Sequence, residues 1–286
     1  MEKLASGFYW AVNQALDTKQ RKYEFSSLWG QLFEDYVIKL LRHAVPPESR
    51  RLLENPFYQD PYVEAFDAVI LENTNAIVFQ IKGTFAKVAG KYSGEFRPFF
   101  EALSEKFGNL RSAAIRQMRS NVRLTFGLPR RRELPEVPVR EIRVVWPVIV
   151  VLEPIVGFGL ASRLLVERFV KRLDRLIPQA YTTVRPPVFI QIEDLEMLVQ
   201  HVRDGDFTFV DCLREKLGHD PTHFYSFHDF YVGQFVPEHR ISFKKNAWIE
   251  AGYDILREQS LARLQGGEFK KYKSTPFGVV FERSAV

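Results

Sequence analysis

With 286 residues, hydrophobic side chains at 46% and charged ones at 26%, the chain has the composition of a globular protein, long enough to bury a sizeable core without disulfides. Its single cysteine, Cys212, excludes an internal disulfide and a zinc ribbon and fits a reducing cytosol, so a cytoplasmic location is expected. The net charge of +5 is unevenly spread: residues 106–143 hold ten Lys or Arg against three acids, a local +7, leaving −2 for the remainder. A basic concentration of this kind suits a polyanion or a solvated helix face.

No uninterrupted apolar core follows Met1, so no secretory signal is expected. Residues 26–43 read as a helix capped by Ser26 or Ser27, with Trp29, Leu32, Phe33, Tyr36, Val37, Leu40 and Leu41 on one face, ended by Pro46 and Pro47. Residues 57–82 are strand-like. Two apolar runs, 66–71 and 76–82, flank the polar turn Glu72-Asn73-Thr74-Asn75 and predict a hairpin. Residues 95–124 return to helical spacing, with Leu103, Phe107, Leu110, Ala114, Met118 and Val122 on one stripe and Arg116, Arg119 and Arg123 opposite it.

Residues 142–152 form a valine-rich run expected of a strand buried on both faces. The longer apolar stretch 144–166 is broken by Pro147, Glu153, Pro154 and Arg163, too soon to span a membrane. A helix over 160–177 and a strand over 188–192 follow. The order predicts an α/β fold with a mixed central sheet flanked by helices over residues 1–203. A mainly helical extension is expected over 204–286, with helices at 208–217 and 244–264 around the aromatic stretch 224–231. That stretch is expected to pack in a core, with base stacking as the alternative.

The hairpin carries the chemistry. Gln80 and Lys82 share one strand face, and a two- or four-residue turn pairs residues whose numbers sum to 147, which sets Asp67 opposite Gln80. Phosphodiester hydrolysis needs a cation to stabilise charge and activate water, plus a group that orients the nucleophile. Asp67, the Gln80 amide oxygen and the Ile81 carbonyl are hard oxygen donors suited to Mg2+ or Mn2+; Lys82 would position the nucleophile. The alternative is an exposed cross-strand ion pair between Asp67 and Lys82, worth about 0–1 kcal/mol.

Asp67, twelve intervening residues, then Gln80-Ile81-Lys82 resembles the signature of PD-(D/E)XK nucleases, in the Gln-x-Lys form of Mrr-like restriction enzymes. The resemblance implies a restriction-endonuclease-like core and a fourth site member on the first core helix, which Glu34 matches. Gln117, on the later helix, resembles polar residues that assist such sites, with an ordinary surface glutamine as the alternative reading. The chain departs from the pattern in having no proline before Asp67 and a glutamine in place of the second acid. Asp60-Pro61 competes for the acidic role but reads as a turn.

The expected function is Mg2+- or Mn2+-dependent hydrolysis of DNA, with Asp67, Gln80, Lys82 and Glu34 catalytic and Asp67, Glu34, Gln80 and Ile81 at the metal. Arg116, Arg119, Arg123, Arg130, Arg131 and Arg132 would contact the DNA backbone. The resemblance further implies restriction or antiviral defence, with a helicase, sensor or other defence subunit, or a second copy of the chain, as partner. The competing expectation is a non-catalytic nuclease-like subunit that binds nucleic acid or organises a complex.

Two other signals are weighed. Gly157-Phe158-Gly159 between a strand and a helix superficially matches a dinucleotide loop, but the third glycine and the strand-borne acid are missing, Asp174 falling within the helix. His219, His223 and His228 invite a zinc reading, which Pro221 opposes by breaking the helix that would join the first two.

Overall fold

The computed structural model describes residues 2–46, 51–59, 63–86, 90, 94–108, 113–127, 134–157, 159–173, 182–219, 225–242, 246, 249–252, 271–275 and 278–282. It divides into two units, Met1–Lys244 and Lys245–Val286. The first is an α/β structure with a mixed sheet and helices packed against it.

Two helices open the chain, α1 (Glu2–Ala15) and α2 (Lys19–Ala44). The second begins seven residues before the expected start. Thr18, not Ser26 or Ser27, is its cap and accepts the Arg21 backbone N–H, while Ser26 is bonded to the Tyr9 hydroxyl. Phe33, Val37, Ile38, Leu40 and Leu41 are buried as the spacing requires, but Leu32 is exposed. Aromatic contacts of Tyr9 with Phe25, Trp29 and Phe85 fasten α1 to α2 and to the loop after the hairpin.

Strands β1 (Leu52–Glu54), β4 (Ala68–Glu72), β5 (Asn75–Lys82), β6 (Val144–Val151), β7 (Thr183–Val184) and β8 (Val188–Gln191) form the sheet; β2 (Phe57–Tyr58) and β3 (Val63–Glu64) pair separately. The sheet runs β1-β4-β5-β6, with β6 pairing both β7 and β8. The pairs β1–β4 and β4–β5 are antiparallel, whereas β5–β6, β6–β7 and β6–β8 are parallel. The central strand β6 is buried along nearly its whole length, which accounts for its uninterrupted apolar sequence.

Between β5 and β6 the expected single helix is two pieces, α3 (Phe96–Leu103), continued by a π-helical turn at Ser104–Gly108, and α4 (Ala114–Phe126). Leu103, Phe107, Ala114, Met118 and Val122 still line the core, together with Val69, Val78 and Ile149 of the sheet; Leu110 lies outside the described residues. Helix α5 (Gly159–Leu173) packs beside α4.

Helix α6 (Ile192–Asp204) starts where strand β8 ends. The sequence reading extends the strand through Ile192 and does not foresee this helix. Helix α7 (Phe209–His219) then packs on the sheet: Phe209 meets Phe79 edge-on, and the Val210 N–H donates to Glu72. Residues 227–238 are helical, as α8 (Phe227–Phe230), a π turn over Tyr231–Phe235, and α9 (Val236–Glu238). Phe227, Phe230 and Tyr231 of the aromatic stretch are buried, as is Phe235 after it, in the expected core role, whereas Tyr225 is exposed. Thus residues 204–244, read from sequence as extension, are part of the first compact unit.

In the second unit, strands β9 (Lys271–Thr275) and β10 (Gly278–Glu282) form an antiparallel hairpin, which the sequence pattern does not predict. Most of the expected helix 244–264 lies outside the described residues. No helix among the described residues is long and apolar enough to cross a membrane.

Candidate active site

The hairpin register is the one expected. Ala68 faces Phe79 and Val69 faces Val78, but the regular pairing ends there: the Asp67 N–H also donates to the Phe79 carbonyl, a bulge that leaves Asp67 out of the direct pairing with Gln80 expected from the sequence. Gln80 and Lys82 lie on the sheet face shared with Val69 and Val78, beneath the apolar side of α4, and Asp67 reaches Gln80 through its side chain.

Asp67 is 4% exposed and Gln80 1%. The Gln80 amide Nε2 donates to both Asp67 oxygens, at 2.8 and 2.7 Å, and the Ile81 N–H donates to Oδ2. Since the N–H and C=O of a strand residue point toward the same edge, the Ile81 carbonyl also faces the Asp67 side. Gln80 Oε1 is buried with no hydrogen-bond partner, a costly state for an amide oxygen unless a cation or water satisfies it.

Lys82 is half-buried and donates to Gln117 Oε1 at 2.9 Å. Gln117 is the α4 residue that the resemblance brought forward, and it fixes the ammonium on the site face. Asn121, one turn on, donates to the Ala65 carbonyl, while the Tyr58 hydroxyl contacts the Asn121 carbonyl at 3.1 Å and Thr125 Oγ1 at 2.9 Å. These bonds hold β2 and the end of β3 against α4 and so locate the adjacent Glu64.

Glu64 is the residue the sequence reading missed. Its carboxyl lies close enough to that of Asp67 for each to perturb the other, and both acids are pushed upward, Asp67 to about 7. For both, burial is the chief cause; the Lys82 charge opposes it. Two carboxyls this close cannot both ionise easily and share a proton. Glu34, on α2, is raised to about 7, first by burial and then by the charges of Asp67 and Asp35, with Lys82 again opposing. Three carboxyl groups from three elements thus sense one another around a single lysine.

Close packing places Glu34 there. Gly83, directly after Lys82, presses on α2 so tightly that a Cβ built on it would lie 2.6 Å from the Phe33 Cβ. Behind the same loop, the buried Glu153 carboxylate accepts the Ala86 N–H at 2.7 Å and the Ile155 N–H at 3.1 Å, anchoring the segment to the end of β6.

The basic patch is only partly as expected. Arg116 and Arg123 are exposed on α4, but Arg119, four residues after Ile115 and three before Val122, falls at the edge of the buried side of the helix and is 9% exposed. Arg119 is therefore withdrawn from the expected backbone contacts. Arg130, Arg131 and Arg132, as well as Asp60-Pro61, lie outside the described residues.

The histidines are not brought together. His228 pairs with the buried Asp194 at 2.7 Å, and His219 with Glu238 at 3.4 Å; His223 lies outside the described residues. The segment 154–157 is a 3-10 turn leading toward α5. A recess of about 540 Å³ lined by Gly159, Leu160, Tyr225, Asp229, Gly233 and Gln234 shares no residue with the carboxylate cluster.

Comparison with known proteins brings no match, whether to a family model, to a curated protein or to a solved structure.

Proposed function

We propose that the chain is a metal-dependent nuclease of the PD-(D/E)XK kind, with a restriction-endonuclease-like core, hydrolysing DNA phosphodiesters. The observation that carries this is the gathering of Glu34, Glu64 and Asp67 around Lys82 beside the unpartnered oxygen of Gln80. Upward-shifted carboxyls hold protons that a divalent cation would displace. The donors are all hard oxygens, which fits Mg2+ or Mn2+. Glu64 supplies the negative charge that glutamine at position 80 withholds.

The residues that would hold the metal are Asp67, Glu34, Glu64, Gln80 through Oε1, and the Ile81 carbonyl. Once bound, it would polarise the scissile phosphate and lower the pKa of water. Lys82, aimed by Gln117, orients the attacking water and offsets developing charge on the phosphate. Glu34, whose carboxyl burial pushes up to about 7 in the metal-free chain, would give up its proton on binding the cation. Exposed Arg116 and Arg123 on the same helix as Gln117 contact the DNA backbone.

A second reading is favoured by one detail. Both Asp67 oxygens are already engaged by Gln80 and Ile81, an arrangement adequate for a non-catalytic, DNA-binding subunit. Defence against foreign DNA, alone as a homodimer or with a helicase or sensor subunit in the cytoplasm, is the context the resemblance suggests.

The decisive test incubates the full chain and its Lys82→Ala variant with plasmid, linear and single-stranded DNA and with RNA, in Mg2+ or Mn2+. Metal-dependent DNA cleavage by the wild type alone is expected. Equal cleavage by both removes Lys82 from the chemistry, and DNA binding without cleavage by either favours the second reading.

A further inference from the structure

Helix α4 carries a polar row beside its apolar stripe. Gln117, Asn121 and Thr125 are four residues apart, so they line up along the helix parallel to Ala114, Met118, Val122 and Phe126. Each member of the row holds a different segment. Gln117 Oε1 accepts from the Lys82 ammonium of β5 at 2.9 Å, Asn121 Nδ2 donates to the Ala65 carbonyl just after β3, and Thr125 Oγ1 lies 2.9 Å from the Tyr58 hydroxyl of β2. The same hydroxyl donates to the Asn121 carbonyl at 3.1 Å.

Two observations single out Asn121. First, β2 and β3 pair over two residues only, Phe57 with Glu64 and Tyr58 with Val63, and a two-stranded ribbon of that length has little stability of its own in water. Tyr58, Ala65 and Phe66 pack in the core, but apolar contact is non-directional and leaves open where along α4 the segment sits. The Asn121 bond supplies that register. Second, Ala65 is 1% exposed, so truncating Asn121 would strip a buried carbonyl of its partner, and the peptide would shift to find another. Glu64 is the residue directly before it.

We infer that Asn121 is a positioning residue for Glu64. Through the Ala65 carbonyl it holds the β3 carboxyl beside Asp67, while Gln117, one turn earlier on the same helix, holds Lys82. The acid and the lysine are thus indexed against two points about 5.4 Å apart on one rigid element. A fully satisfied polar row of this kind fixes a unique arrangement where apolar side chains would only fill space. Asn121 has this role only if the cluster is the metal centre proposed above, where it secures from α4 the acid that position 80 lacks; it touches neither the metal nor the DNA.

The test measures Mn2+ affinity of the chelator-stripped full chain by electron paramagnetic resonance, in a double-mutant cycle over Asn121→Ala and Glu64→Gln. Each single variant is expected to bind Mn2+ roughly 10-fold more weakly than wild type, and Asn121→Ala to add less than about twofold in the Glu64→Gln background, because both changes take the same carboxylate from the metal. Tyr58→Phe keeps the ring in the core and removes the hydroxyl's bonds to α4; it should weaken binding by a smaller factor, with unchanged circular dichroism. A merely structural role would lower affinity by the same factor in both backgrounds. That result, or wild-type affinity in both Asn121→Ala and Tyr58→Phe, overturns the inference. Wild-type protein that binds Mn2+ but cleaves no DNA overturns the nuclease reading and leaves this one, whereas a folded wild type that binds no Mn2+ at millimolar concentration overturns both.

Discussion

Replacing Asp67 by asparagine is expected to stabilise the metal-free protein at pH 8 while abolishing its response to Mg2+. Burial and the Glu64 carboxyl carry Asp67 from its ordinary 3.8 to about 7, which at about 1.4 kcal/mol per pH unit makes ionisation at pH 8 cost about 4 kcal/mol. Because the folded-state value is raised, the native chain binds more protons than the unfolded one between pH 4 and 7. Stability is therefore highest below that window and falls as pH rises through it. Asparagine removes the charge but loses a charge-assisted bond from Gln80 or Ile81, worth about 2 kcal/mol. The net gain at pH 8 is about 2 kcal/mol, vanishing near pH 5, where the wild-type carboxyl is mostly protonated. Urea denaturation at the two pH values, in EDTA and then in 10-fold steps of Mg2+, measures it. An Asp67→Asn protein equally destabilised at both pH values would refute the reasoning.

Other outcomes follow from the same geometry. Cleavage by the wild type should rise between pH 6 and 8, since Glu34 and Asp67, both raised to about 7, must ionise to bind metal; a flat profile under single-turnover conditions would count against their role. Gln117→Ala should lower kcat roughly 10-fold or more with little change in DNA affinity, because it removes the support of Lys82. Arg116→Glu/Arg123→Glu should weaken DNA binding and reduce the salt dependence by about two phosphate contacts, measured by fluorescence anisotropy across a salt series. Phe209→Ala should cost about 3–5 kcal/mol in chemical denaturation, since Phe209 is buried against Phe79.

The hairpin was legible because its register follows from loop length and strand alternation alone, both visible in the sequence. Gln117 and Glu34 were reachable by resemblance, since each falls on a helix whose period the apolar residues display. Glu64 was hidden for a physical reason: β3 is two residues long, too short for any alternation, and its position is set by Tyr58 and Asn121 from elsewhere in the chain. Arg119 was misassigned because it was grouped with Arg116 and Arg123, although its spacing from Ile115 and Val122 puts it at the edge of the buried side. Helix α6 escaped notice although Ile192, Leu195, Leu198 and Val199 have helical spacing and are buried, because the strand that runs directly into it absorbed its first residue.

Gly83 contacts α2 where any larger residue would strike Phe33, and it is neighbour to Lys82 while Phe33 is neighbour to Glu34. The clearance between two backbones thus acts as a gauge block, setting how far apart the helix-borne acid and the strand-borne lysine stand. A single methyl group there would widen the gap without altering any charged side chain. Gly83→Ala should accordingly demand more Mg2+ for half-maximal cleavage while leaving every proposed ligand in place, so the dimension of the centre is written in a residue that has no chemistry of its own.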